Sequence, residues 1–229
     1  MQFVTEMAYP ISFSFDELKK ISSYAGKKKY IESHLEKIGA GSSRLTYIVD
    51  DEKVLKLAKN KKGLAQNEEE ISKSLYDTDL FAKMYDHDDD CYWVEMEIAK
   101  KVKPSDVKRL YGVSFNIIID FIIKCFKERG MDTYKHKYLR NEPDFRDFWN
   151  DFWEWEGGNP TEKYNISDKL GNLLLTIYEY FGDFYCNWQD VSDWTRLSNW
   201  GLVKRNGIEE MVIIDMGLSD EIWKTHYEK

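Results

Sequence analysis

The sequence predicts an α+β protein, with a small antiparallel sheet early in the chain and mostly helices after it. Three observations predict this. Short alternating apolar runs ("RLTYIVD", "KVLKLA", "YWVEMEIA") occur in the first part of the chain, separated by turn residues, as strands are. Segments with helical caps and helical period ("SFDELKKI", "GLAQNEEEISKSLY") lie before and between them. The later part carries longer stretches of helical period, interrupted by one strong hairpin signal, Asn206-Gly207. With 229 residues the chain suits one large domain or two small lobes and can bury a sizeable core.

Taken in order, Ser14 followed by Glu17 forms a capping box that starts a helix near Phe15. A second short helix is expected over 27–36, where Lys27, Lys28 and Lys29 read as a solvated face. "RLTYIVD" and "KVLKLA" make two strands joined by a turn at Asp50-Asp51-Glu52. "GLAQNEEEISKSLY" then returns to helix, with Leu64, Ile71 and Leu75 on one face. Two more strands flank the acidic turn Asp86 to Asp90. In the second of them Val94, Met96 and Ile98 share one side, and "KKVKPSD" follows as a linker. A helix is expected within 113–129; Asp120 and Lys124 make its apolar run too charged to span a bilayer, so it reads as buried. "DFRDFWNDFWEWE" places Phe145, Phe148, Trp149, Phe152 and Trp153 on a core-facing stripe that stops at Gly157-Gly158-Asn159-Pro160. Ser167 caps a helix carrying Leu170, Leu173, Leu174, Ile177 and Phe181. "WGLV" and "MVIID" then pair as a hairpin. The expected division is a helical extension over 1–36, a sheet region over 37–103 and a helical region over 104–229.

Acidic residues outnumber basic ones by 41 to 33, for a net charge of −8. A chain of that sign has no general attraction to nucleic acid or to anionic membranes, so neither is expected as a partner. The three cysteines, Cys91, Cys125 and Cys186, are far apart and lack metal-ligand spacing. Their odd number and the absence of a signal pattern predict reduced thiols in a cytoplasm.

The chemistry concentrates in a few residues. "GAGSS" places Gly39, Gly41, Ser42 and Ser43 in a turn before a strand, where backbone N–H groups approach phosphate oxygens closely. Lys56 on the adjoining strand can hold those phosphates as a point charge. It needs a carboxylate partner, and the next helix offers Glu68, Glu69 and Glu70. Only one of three consecutive helical residues faces the sheet squarely, and Glu70, beside Ile71, is preferred. Backbone groups from Glu97 to Ala99 end the sheet where an adenine edge would pair. Further on come Asp193, Asn199 and Asp215, with a hairpin between the last two. Phosphoryl transfer needs an acid to orient the acceptor hydroxyl and oxygen ligands that hold magnesium against the phosphates. Asp193 fits the first role, and Asn199 and Asp215 fit the second.

The ordered set resembles the protein-kinase-like superfamily, which includes protein kinases and the aminoglycoside and choline phosphotransferases. "GAGSSRLTY" is similar to its Gly-rich loop and "VLKLA" to its β3 lysine strand. "DWTRLSN" is similar to its catalytic loop and "IIDMG" to its Asp-Phe-Gly motif, so the resemblance spans roughly residues 37–220. The "DW…NWG…IIDMG" style is similar to kinase-like proteins encoded by bacteriophages, which implies a host cytoplasm. The resemblance implies a bilobal fold with an abbreviated helical C-lobe, and use of ATP and Mg2+ to phosphorylate a hydroxyl acceptor, either a small molecule or a protein. It makes Lys56 and Asp193 catalytic. Three departures stand out. Val191-Ser192 precede Asp193 where the family has a His-containing motif. The step from Asp193 to Asn199 is one residue longer than usual, which makes Asp190 a rival catalytic acid. The chain ends soon after Gly217, without an activation segment or an Ala-Pro-Glu motif, which speaks against peptide substrates. The same motifs also suit a pseudokinase used as a nucleotide-binding interaction module, or a nucleotidyl transferase that moves AMP.

Overall fold

The computed structural model describes residues 13–75, 79–128, 167–183, 193–217 and 219–226. The aromatic stripe from Phe145 to Trp153, its stop at Gly157-Gly158-Asn159-Pro160, and Asp190 lie outside the described residues. The chain forms two units. One draws on Met1–Asp77, Ala82–Ala99 and Met216–Lys229, and the other on Thr78–Phe81 and Lys100–Asp215. Each unit combines helices with an antiparallel sheet, an α+β architecture.

The first unit holds helices α1 (Phe15–Lys20), α2 (Tyr24–His34) and α3 (Lys61–Ser74). Its strands are β1 (Lys37–Ala40), β2 (Arg44–Ile48), β3 (Lys53–Ala58), β4 (Met84–His87) and β5 (Trp93–Glu97), in the antiparallel order β1-β2-β3-β5-β4. The β2–β3 turn is closed by Asp50, whose carboxylate accepts the Glu52 N–H at 2.8 Å. Strand β1 corrects the reading of the glycine stretch: Gly39 lies inside a strand, at a register shift opposite β2, and only Gly41–Ser43 turn.

Pairing sets the two faces of this sheet. Leu45 opposes Leu57 and Tyr47 opposes Leu55, so these four share a face. With Trp93 and with Leu18, Ile31 and Leu35 from α1, α2 and the α2 C-cap, they form the core. Burying each large apolar side chain contributes about 1.5–3 kcal/mol. Residues 13–36 are therefore the layer that covers one face, while α3 covers the other. This is why β5 does not alternate as expected: Trp93, Val94, Glu95 and Met96 are all buried.

The helices depart from expectation in instructive ways. Ser14 does cap α1, accepting the Glu17 N–H at 3.5 Å, but only half of the capping box forms. The Glu17 carboxylate pairs with Lys20 at 2.6 Å, and the Ser14 N–H donates to Tyr30 Oη at 3.1 Å instead. Helix α2 starts three residues early because Ser23 caps it, accepting the Gly26 N–H at 3.2 Å. Lys27 is not part of a solvated face: it is buried and ion-paired with the buried Asp88. In α3 the buried stripe is Gly63, Gln66, Asn67, Glu70 and Lys73, while Leu64 and Ile71 are only half-buried and Leu75 is 80% exposed. The helix turns its polar side to the sheet because polar partners wait there.

The second unit holds β6 (Lys100–Lys101), β7 (Trp200–Arg205) and β8 (Ile208–Ile213), antiparallel in the order β6-β7-β8. The segment expected as a linker thus contains a strand and the start of a helix, α4 (Pro104–Tyr111), with Pro in its first turn. Gly112, at φ 76°, ends α4. Helices α5 (Phe115–Glu128) and α6 (Asp168–Asp183) follow. Ile118, Phe121 and Ile122 of α5 and Leu170, Leu174 and Ile177 of α6 are buried, and Ser167 caps α6 through the Leu170 N–H at 3.3 Å. Asn206 and Gly207, at φ 51° and 82°, make the tight turn from β7 to β8. In the first unit the chain finishes with α7 (Asp220–His226). Among the described residues no helix is long and apolar enough to cross a membrane.

Candidate functional site

In the first unit, Lys56 sits on β3 between Leu55 and Leu57, which face the core, so strand alternation sends its side chain toward α3. Its Nζ lies 3.0 Å from Glu70 Oε1 and 3.3 Å from Oε2. Glu70 is the acid of the three that falls on the buried stripe, and it is fully buried. Glu68 is exposed, and Glu69 pairs with Lys73 at 3.2 Å. A buried carboxylate without a cation would be strongly destabilising. Glu70 has two: Arg44 Nη1 stands 2.8 Å from Oε2. Sequence reasoning missed Arg44. The strand register reveals it: Arg44 opposes Ala58 while Thr46 opposes Lys56, which puts Arg44 and Lys56 on one face.

The glycine turn is held down from several sides. The Gly41 N–H donates to Arg44 O at 2.8 Å. Lys59 Nζ donates to Gly41 O at 2.9 Å, Asn60 Nδ2 to Ser42 O at 3.2 Å, and the Lys59 N–H to Ser43 O at 2.7 Å. Lys62 Nζ reaches Ser42 Oγ at 3.0 Å, and Ser43 Oγ donates to Gln66 Oε1. A Cβ on Gly39 or Gly41 would meet nothing nearer than 3.6 Å or 3.8 Å, and neither glycine has positive φ. The fold itself therefore does not demand glycine at these two positions.

At the end of β5, the Glu97 N–H donates to Lys83 O at 2.8 Å and the Ile98 N–H to Glu52 O at 2.7 Å. Two of the backbone donors expected for an adenine edge are thus used within the unit, and the Ala99 backbone follows them.

In the second unit, Asp193 is buried and its Oδ1 lies 3.2 Å from Arg196 Nη1. Asn199 closes a short 3-10 turn, Leu197–Asn199, and its Nδ2 donates to the Asp193 carbonyl at 3.1 Å. That bond orients the carboxamide: the nitrogen is used, and Oδ1 is the acceptor, with Ser198 Oγ 3.3 Å away. Trp200 Nε1 donates to Trp194 O at 2.7 Å, which closes the loop between Asp193 and the hairpin. The Ile214 N–H donates to Asn199 O at 2.9 Å, so the chain leaving β8 toward the half-buried Asp215 runs beside Asn199. Asn199 Oδ1 and the Asp215 carboxylate are hard oxygen donors, the kind that magnesium takes. Past Asp215, in the first unit, Lys73 Nζ donates to Met216 O at 2.9 Å, and a Cβ on Gly217 would lie 2.7 Å from Gln66 O.

No protein-family model matches the sequence, and no curated protein matches it. Among solved structures the chain is similar to APH(2'')-IIa, an aminoglycoside phosphotransferase in a ternary complex with streptomycin and ATP. The identity is 14%, the match covers 86% of this chain and 71% of that one, and the TM-score is 0.34. It is also similar to choline kinase LicA from Streptococcus pneumoniae, at 14% identity over 88% of this chain and 79% of that one, with a TM-score of 0.37. Both are members of the protein-kinase-like superfamily.

Proposed function

We propose that the chain is a kinase-type phosphotransferase that uses ATP and magnesium and acts on a hydroxyl acceptor in the cytoplasm. The observation that carries this reading is the Lys56–Glu70 pair at 3.0 Å, between β3, the second strand after the glycine turn, and α3. A fully buried carboxylate is a costly way to hold a surface lysine, but a sound way to fix an ammonium for phosphate. In this reading Gly39, Gly41, Ser42 and Ser43 let the backbone approach the phosphates, and Lys56 holds them. Glu97 and Ala99 mark the segment beside the base. Asp193 orients the acceptor hydroxyl and takes up its proton. Asn199 Oδ1 and Asp215 are the residues that would hold magnesium, which supplies charge neutralisation on the phosphates when bound.

The test is transfer of label from ATP to the protein itself or to a small-molecule extract, run in parallel with the label on the γ-phosphate and on the α-phosphate. Asp193→Asn is expected to keep ATP binding and cut turnover by roughly 100-fold or more, the scale for a positioned acid–base group. Asp190→Asn is expected to do much less; if it is instead the inactive variant, the loop is shifted in register. A parent that binds ATP and transfers no phosphate would overturn the phosphotransferase reading. Labelled AMP on the product would point to nucleotidyl transfer, and no label at all to a pseudokinase.

A further inference from the structure

Two cations share the carboxylate of Glu70. Lys56 Nζ lies 3.0 Å from Oε1 and Arg44 Nη1 lies 2.8 Å from Oε2. Arg44 is only 8% exposed, and it directly follows Ser43, whose Oγ is bonded to Gln66 one turn before Glu70 on α3. The end of the glycine turn, Arg44 and the buried face of α3 are thus one connected network within the first unit.

We propose that Arg44 is a positioning residue for the phosphate-holding lysine. It keeps a counterion on Glu70 while Lys56 shares its ammonium with the phosphates of a nucleotide. The inference rests on the phosphotransferase reading of the same site. Its physical basis is the cost of a bare carboxylate in the interior. If Lys56 were the principal counterion, any shift of Nζ toward a phosphate would expose that cost, and Glu70 would hold the lysine back. A guanidinium is always charged and rigidly planar, so it secures one carboxylate oxygen whatever the lysine does. Lys56 is then oriented by Glu70 without being monopolised by it.

The experiment measures affinity for ATP and for adenosine by calorimetry, in the parent, Arg44→Met, Arg44→Lys, Lys56→Met and the Arg44→Met/Lys56→Met double variant. Melting without ligand shows which variants fold; where Arg44→Met or the double variant does not, Arg44→Lys in the parent and Lys56→Met backgrounds makes the same comparison. Arg44→Met is expected to weaken ATP by about tenfold, the scale of one charge-assisted contact, and to leave adenosine unchanged. Arg44→Lys is expected to recover part of the loss. With Lys56 already replaced, Arg44→Met is expected to have no further effect. Equal losses for ATP and adenosine would reduce Arg44 to a structural residue and overturn the proposal. Additive losses in the double variant would show that Arg44 acts independently of Lys56, which also overturns it. An unchanged ATP affinity in Arg44→Met, with the parent preferring ATP, would sink the role of Arg44 alone. A parent that does not prefer ATP to adenosine would instead overturn the phosphotransferase reading beneath it.

Discussion

Gly63 lies where α3 meets the glycine turn. A methyl group there would sit 2.2 Å from the carbonyl oxygen of Ser43 and 3.0 Å from the Cα of Ala58. Both are backbone atoms and cannot rotate away. Gly63→Ala would gain about 1 kcal/mol in helix propensity. We expect overpacking, about 1–3 kcal/mol, to outweigh that gain, for a net loss of up to about 2 kcal/mol in urea denaturation. Gly41→Ala serves as the control, since its methyl would meet nothing nearer than 3.8 Å and should cost little folding stability. A stabilised Gly63→Ala would mean that the turn does not rest on α3. Lys56 stood out in the sequence as a strand lysine after a glycine turn, whereas Arg44 was only the first residue of an expected strand. Its role appears only when β2 is paired with β3 in register.

Among the elements, α4 and β8 are joined by one buried hydrogen bond: the Met211 N–H donates to Tyr111 Oη at 3.1 Å. Burial pushes the Tyr111 phenol up to about 12, above its ordinary value near 10. The folded chain therefore keeps this proton where the unfolded chain has lost it. The resulting stability is fully present below about pH 10 and is lost as pH rises toward about 12. Denaturation midpoints measured from pH 9 to 12 should fall over that window, and Tyr111→Phe should flatten part of the fall. The residual slope belongs in part to Tyr47, pushed to about 12 by burial and then by the charge of Glu32. At pH 8 the same variant should lose about 1–3 kcal/mol, because the Met211 N–H is left buried without an acceptor. A slope identical to the parent's would remove Tyr111 from the alkaline transition. In α3, apolar periodicity pointed to Leu64, Ile71 and Leu75, yet the helix buries Gln66, Asn67, Glu70 and Lys73. Periodicity finds the buried face only when that face is apolar.

For the whole molecule, the proposed function predicts coupling between ligand and stability. A ligand that binds only the folded chain stabilises it by about 2.7 kcal/mol at 100 times its Kd. ATP with magnesium should therefore raise the melting temperature of the parent, and ATP alone should raise it less. Asp215→Ala should erase the magnesium-dependent increment and leave the magnesium-free one. If the increment survives in that variant, Asp215 is not a metal ligand.

The sequence by itself determined the local elements. Ser14 and Ser167 cap the helices expected of them, and Asn206-Gly207 forms the turn that its residue types demand, because caps and turns are satisfied within a few residues. It also determined the order of the candidate residues along the chain. Tertiary structure decided which strands joined which sheet. It made β1 out of the glycine stretch and β6 out of a supposed linker, since a strand exists only once a partner supplies its hydrogen bonds. It decided, too, that Glu70 pairs with Lys56, that Arg44 shares that carboxylate, and that Lys27 is buried against Asp88. Each of these pairings spans more than a dozen residues of chain, and what fixes it is the cost of burying a charge alone, a cost that no local pattern of residues records.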